Sequence, residues 1–159
     1  MSVSVAPRRL LQLSLGVVVF TWLGAVQGAT GVSDLNPAAI TIQLPKDIKW
    51  VENSGGSATA TLAGDPSKPG IYVQLNKWHA HKNSRPHSHP NDRYITVLSG
   101  TWWVATGTDY DLNKMVPVPA GSYVKHTGKE IHWDGAKDEE CVLEIVGMGP
   151  ATSVSAEKK

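Results

Sequence analysis

The residues best suited to chemistry stand in Pro86-His87-Ser88-His89-Pro90. Side chains of an extended chain alternate between faces, so His87 and His89 share one. Two imidazoles held side by side make half of a metal site, and imidazole suits Zn, Cu, Fe and Ni. By itself the pattern also fits an exposed strand pair, so its weight depends on what the rest of the chain brings to it.

The chain has 159 residues, one domain on the length prior and enough to bury a core. Residues 1–28 read as a secretory signal peptide. Arg8 and Arg9 form a positive start, Leu10 to Ala25 is apolar, and Val26 and Gly28 are small enough to flank a cleavage after Gly28. The alternative is an uncleaved membrane anchor, for which the apolar run is slightly short. Periplasmic or secreted localisation follows, with no stable membrane insertion once the signal is cut. Of the 15 basic residues, Arg8 and Arg9 leave with it, so the mature chain carries 13 basic against 14 acidic residues. That near balance, without a basic cluster, argues against nucleic-acid binding. The single cysteine, Cys141, cannot form an internal disulfide and reads as a small buried hydrophobe on a strand.

Residues 29–39 are small and polar, a flexible lead-in. Strands are expected at Ile40–Leu44, Ile48–Val51, Ala58–Ala63, Ile71–His79, Tyr94–Leu98, Thr101–Ala105, Val116–Pro119 and Cys141–Val146. In Ile71–His79 the face carrying Ile71, Val73 and Leu75 opposes Gln74 and Asn76. Tyr123–His126 and Glu130–Trp133 read as a hairpin around Gly128. Residues 150–159 form a polar tail without a fold signal and are expected to be disordered. Short strands between Gly and Pro turns, with no capped helical period, predict an all-β sandwich or barrel over residues 40–149.

At this point residues 48–149 resemble the cupin family. Its first motif is Gly, five residues, His-x-His, three or four residues, Glu, six residues, Gly. His87, His89 and Gly100 fill it, while His81 replaces the opening Gly and Arg93 the Glu. Its second motif is Gly, five residues, Pro, one residue, Gly, two residues, His. Gly121 and His132 fill its ends, while Thr127 and Lys129 replace its inner Pro and Gly. The Asn that usually follows is Ala136 here. The resemblance implies a jelly-roll β-barrel (a double-stranded β-helix), a small-molecule ligand and, through the outer sheet, a homodimer. It also implies that His87, His89 and His132 converge on a divalent metal inside the barrel, with Fe, Zn, Ni, Cu and Mn all open.

Arg93 cannot complete such a set, because a guanidinium stays protonated and has no lone pair to give. Three arrangements remain. Three histidines leave open positions for water or substrate. Alternatively His126 is a fourth ligand, since the expected hairpin sets it opposite His132. Or the site is vestigial. Asp92, one residue before the Glu position, is a further carboxylate within reach of a small shift. Arg93, Trp103 and Trp78 are the candidates for substrate contact: Arg93 as a clamp for carboxylate or phosphate, the tryptophans as aromatic walls. Trp102 and Trp103 occupy opposite faces of one strand, so one enters the barrel and one does not. His79 and His81 form a second pair, read as surface histidines. The function classes left open are a metal-dependent oxygenase or hydrolase, a non-catalytic sugar or carboxylate binder, and a regulatory or structural cupin.

Overall fold

The structure, a computed structural model, describes residue 31 and residues 34–157. The signal-peptide reading therefore lies outside the described residues. The chain divides into two units, residues 1–41 and 42–159. In the first, the described residues form turns, closed by Asp34 N donating to Gly31 O and Ala39 N to Asn36 O.

Among the described residues the second unit carries eleven strands. They are β1 Val51–Asn53, β2 Ser57–Ala63, β3 Gly70–Trp78, β4 His87–Ser88, β5 Arg93–Ser99, β6 Thr101–Thr106, β7 Val116–Pro119, β8 Tyr123–His126, β9 His132–Gly135, β10 Cys141–Gly149 and β11 Val154–Ser155. A six-stranded sheet runs β1-β2-β3-β10-β5-β8 and a five-stranded sheet runs β11-β4-β9-β6-β7. Every named strand pair is antiparallel. This is the all-β jelly roll expected from the sequence, two antiparallel sheets packed around one core.

Alternation decides what fills it. In β10, Cys141, Leu143 and Ile145 are buried while Val142, Glu144 and Val146 are only half-buried. The first three join Ile95, Val97, Tyr72, Trp78 and Trp102 in one core. Burying a Leu or Ile side chain contributes roughly 1.5–3 kcal/mol. Burial also pushes the Cys141 thiol up to about 12, so it packs as a hydrophobe rather than a nucleophile. A second cluster of Ala105, Met115 and Trp133, with Trp103 and Tyr110 against it, covers the outer face of the five-stranded sheet.

Four backbone positions explain the departures from the glycine pattern. Gly100 and Gly121 have φ of 69° and 86°, and His81 and Lys129 have φ of 63° and 69°. All four stand at glycine positions of the two motifs. The left-handed turns persist although two have lost the residue that adopts them freely; each costs an L side chain roughly 1–2 kcal/mol.

Several expectations change. Ile40–Leu44 is not a strand, and Ile40 and Ile42 are exposed; alternation needs an edge to pair with, and β1 takes the edge beside β2. Ile48–Val51 is no strand either: a 3-10 turn at Pro45–Asp47 leads in, and pairing begins only at Val51. Tyr123–His126 and the strand near His132 are not a hairpin. The first pairs with β5 and the second with β4 and β6, in opposite sheets, because the chain crosses between them at Lys129.

The residues from 150 to 157 are not a disordered tail. Val154–Ser155 pair with Ser88 and His87, Ala156 N donates to Pro86 O, and Arg85 pairs with Glu157. A short edge strand needs only backbone partners, so the polar composition hides it. Finally, β3 turns its amide-bearing face inward. Tyr72, Gln74, Asn76 and Trp78 point into the barrel with Leu143 and Ile145, while Ile71 is exposed.

Candidate metal centre

The two sheets meet around a group of histidines. His87 lies on β4, His89 just beyond it, and His132 on β9, directly opposite His87 in the register. One ring nitrogen from each lies within 4.8 Å of the other two. The ring centroids are 4.9, 4.7 and 5.3 Å apart. The three rings thus converge, as the cupin resemblance implies.

The outer nitrogen of each ring is spoken for by the backbone. His87 Nδ1 donates to Arg85 O at 2.8 Å, His89 Nδ1 to Thr152 O at 2.8 Å, and His132 Nδ1 to Glu130 O at 3.1 Å. A carbonyl oxygen only accepts, so each Nδ1 carries the proton, and in a neutral ring Nε2 then holds a lone pair. His87 Nε2 and His89 Nε2 face each other at 3.1 Å, and the buried Nε2 of His132 has no partner. Lone pairs brought this close repel unless a cation lies between them. Two bonds of ~2.0–2.1 Å at a tetrahedral centre place the nitrogens about 3.3 Å apart, near the spacing found. Carbonyl tethers of this kind are the usual outer support of metal-binding histidines. The donor set therefore fits a divalent ion. Burial, with Arg93 second, pulls His89 down to about 3, and burial lowers His132 as well, so both rings are neutral.

Arg93 points inward, with its Nη1 donating to His89 Nε2. His126, its register partner on β8, stacks on His132 at 3.9 Å and on Trp102 at 5.3 Å. It does not join the set of mutually close nitrogens, its buried Nδ1 has no partner, and burial takes it down to about 2. The expectation that His126 stands beside His132 holds, but across the barrel rather than along a hairpin. Asp92 is turned away: it pairs with Lys125 at 2.7 Å and accepts from Gly128 N at 2.8 Å. No carboxylate joins the three rings among the described residues.

Beside the histidines opens a cavity of about 680 Å³, lined in part by Arg93, Trp78, Gln74, Asn76 and Asp134. Trp78 lies where substrate contact was expected. Trp103 does not. It belongs to the outer cluster, with Lys137 Nζ 3.8 Å above its ring, and Trp102 is the residue that enters the barrel. The register decides this: Trp103 pairs with Gly135, on the face opposite His132 and Asp134. His79 sits between Glu52 and Glu140 at 2.9 and 3.2 Å, a surface role as expected.

Sequence reasoning missed Gln74, Asn76, Asp134 and the tail. One signal was available: Tyr72, Gln74, Asn76 and Trp78 place aromatic residues on the polar stripe of a strand, which a solvated face rarely does. Asp134 Oδ1 accepts from Ser84 Oγ at 3.0 Å, a contact between strand β9 and a distant loop that no local pattern announces.

No family model and no curated protein sequence matches this chain. Solved structures do. The polyketide cyclase RemF from Streptomyces resistomycificus matches with a TM-score of 0.63 at 16% identity, over 76% of this chain and 87% of that one. A cupin-2 domain from Rhodospirillum rubrum matches at 0.57 and 12%, over 75% and 81%. A protein from Klebsiella pneumoniae with a double-stranded β-helix domain matches at 0.53 and 19%, over 68% and 90%. The fold of this chain is the cupin fold.

Proposed function

We propose that this cupin-fold chain binds a divalent metal ion through His87, His89 and His132 and acts on a small polar molecule in the adjoining cavity. One observation carries the reading: three Nδ1–H groups tied to backbone carbonyls turn three Nε2 lone pairs toward one point. With three protein ligands, positions stay open for water or substrate, as catalytic sites require. A bound ion would supply Lewis acidity or an oxygen-activating centre there; imidazole suits Fe, Zn, Ni and Cu best, with Mn the remaining candidate. The chain's own part is to hold the rings neutral, to orient them, and to offer Arg93 as a fixed positive charge beside them. That RemF is a cyclase supports an enzymatic role only as an analogy of fold.

Elemental analysis of protein purified without chelators tests the reading. About one equivalent of metal is expected in the wild type and almost none in His89→Ala, with the circular-dichroism spectrum of the barrel preserved. Equal metal content in the two proteins would sink the assignment.

A second reading is ligand binding without turnover. It draws support from Arg93, which stands at the motif's carboxylate position and donates to His89 Nε2. Stoichiometric binding of a small molecule recovered unchanged would favour it. Export is the accompanying proposal, supported by Arg8, Arg9 and the apolar run after them. Amino-terminal sequencing of the secreted or periplasmic protein should begin at Ala29.

A further inference from the structure

The cavity wall makes unmet demands of both kinds. The Oδ1 of Asn76 is a buried acceptor without a donor, and the Nε1 of Trp78 and the Nε of Arg93 are buried donors without acceptors. All three residues line the cavity, and Trp78 is only 7% exposed. Folded proteins keep few such atoms, and each calls for a partner that the chain itself does not supply. These three belong to different strands, β3 and β5, yet share one hollow.

Charge narrows the choice. The Arg93 guanidinium lies inside, against the histidines, whereas Arg85 at the rim is already paired with Glu157. When the His89 Nε2 lone pair is given to a metal, Arg93 loses the acceptor it now uses and needs another. Its planar fork matches the two oxygens of a carboxylate. A phosphate dianion fits less well. It would meet a single interior guanidinium and the nearby carboxylate of Asp134, and strands and loops line the cavity, with no helix N-terminus among the described residues to cradle it. An apolar acid would satisfy Arg93 and leave Asn76 Oδ1 without a donor.

We propose that the cavity takes a hydroxylated carboxylic acid, of the α-hydroxy or sugar-acid class. Its carboxylate lies on Arg93 beside the histidine cluster, and a hydroxyl donates to Asn76 Oδ1 and accepts from Trp78 Nε1. This rests on the metal reading for the freeing of Arg93. A hollow of about 680 Å³ holds a six-carbon acid of this kind.

Calorimetric titration of the zinc-loaded full chain tests it, with gluconate, glucitol, hexanoate and inorganic phosphate as probes. Zinc content is measured before and after. Gluconate should bind at least tenfold more tightly than glucitol, which lacks the carboxylate, and than hexanoate, which lacks the hydroxyls. Arg93→Gln should weaken gluconate about tenfold or more while zinc content is unchanged. Asn76→Leu should narrow the gap between gluconate and hexanoate. Where Arg93→Gln does not fold, Arg93→Lys keeps the charge without the fork, and a several-fold loss is expected. Phosphate binding most tightly, glucitol equalling gluconate, or indifference to Arg93 would overturn the proposal. A wild type that takes up no zinc overturns the metal reading instead, and the same probes on zinc-free protein then separate the two failures.

Discussion

Strands β3 and β10 lie side by side and send alternate residues into the same barrel. Trp78 stands opposite Cys141, Asn76 opposite Leu143, Gln74 opposite Ile145 and Tyr72 opposite Gly147. On β10 these residues are apolar or small and are buried. On β3 the middle two are amides, and one of them keeps an acceptor without a partner. Gly147 marks where β10 yields to β3, since a Cβ there would lie 2.7 Å from the Tyr72 hydroxyl. One side of the interior is thus packed with apolar residues, and the other presents amides to the cavity. A polar inward face beside an apolar one is a sign of use, because polar groups buried without partners cost free energy that packing does not return.

The largest expected effect sets these strands against each other. Leu143→Ala should destabilise by about 2–5 kcal/mol through lost burial and a cavity. Asn76→Leu should leave stability unchanged or raise it by about 1 kcal/mol, since it removes an unpaired buried acceptor. Urea denaturation reads both. Equal losses would mean that the amide face is structural and the contrast false.

Next comes the tail, which tethers His89 through Thr152 O. Truncation after Pro150 should weaken metal affinity about 10–100-fold, the usual cost of removing a ligand's outer support. Competition with a chromogenic chelator measures it. An unchanged affinity would show that His89 needs no tether.

Smaller gains are expected at the turns that carry the chain between the two sheets. Lys129→Gly and His81→Gly should each stabilise by roughly 1 kcal/mol, as glycine adopts φ of 69° and 63° freely; thermal melts check both.

The smallest effect lies outside the barrel. Hydrogen bonds that His79 donates to Glu52 and then Glu140 raise it above its ordinary 6.5. A raised value means that its contribution is complete below that pH and is lost as pH rises through the folded value. The stability difference between wild type and His79→Gln should therefore shrink on going alkaline. Screening of this half-exposed cluster keeps it below about 1 kcal/mol. A difference that grew with pH would reverse the assignment.

Much of the fold was legible because period-two alternation and Gly-Pro punctuation are local. Eight of the eleven strands lie where those signals put them, within a residue or two at most ends; β1, β4 and β11 do not, and β9 starts later than expected. The misreadings were of partnership. Ile40–Leu44 alternates but has no edge to join, and Val154–Ser155 scarcely alternates yet finds β4. Likewise Tyr123–His126 and the segment at His132 are neighbours in sequence but belong to opposite sheets.

Residue types and spacing by themselves determined that His87 and His89 share a face and that Arg93 offers no metal ligand. These are properties of chemistry and of the extended backbone, independent of what surrounds them. Only the tertiary structure decided which ring nitrogens face inward, that Trp102 rather than Trp103 enters the barrel, and that Gln74 and Asn76 line a cavity. Each of those outcomes depends on a partner far away in the chain: a carbonyl, a register, an opposing sheet. Hydrogen bonds and packing are made between surfaces, and a sequence lists only one side of each.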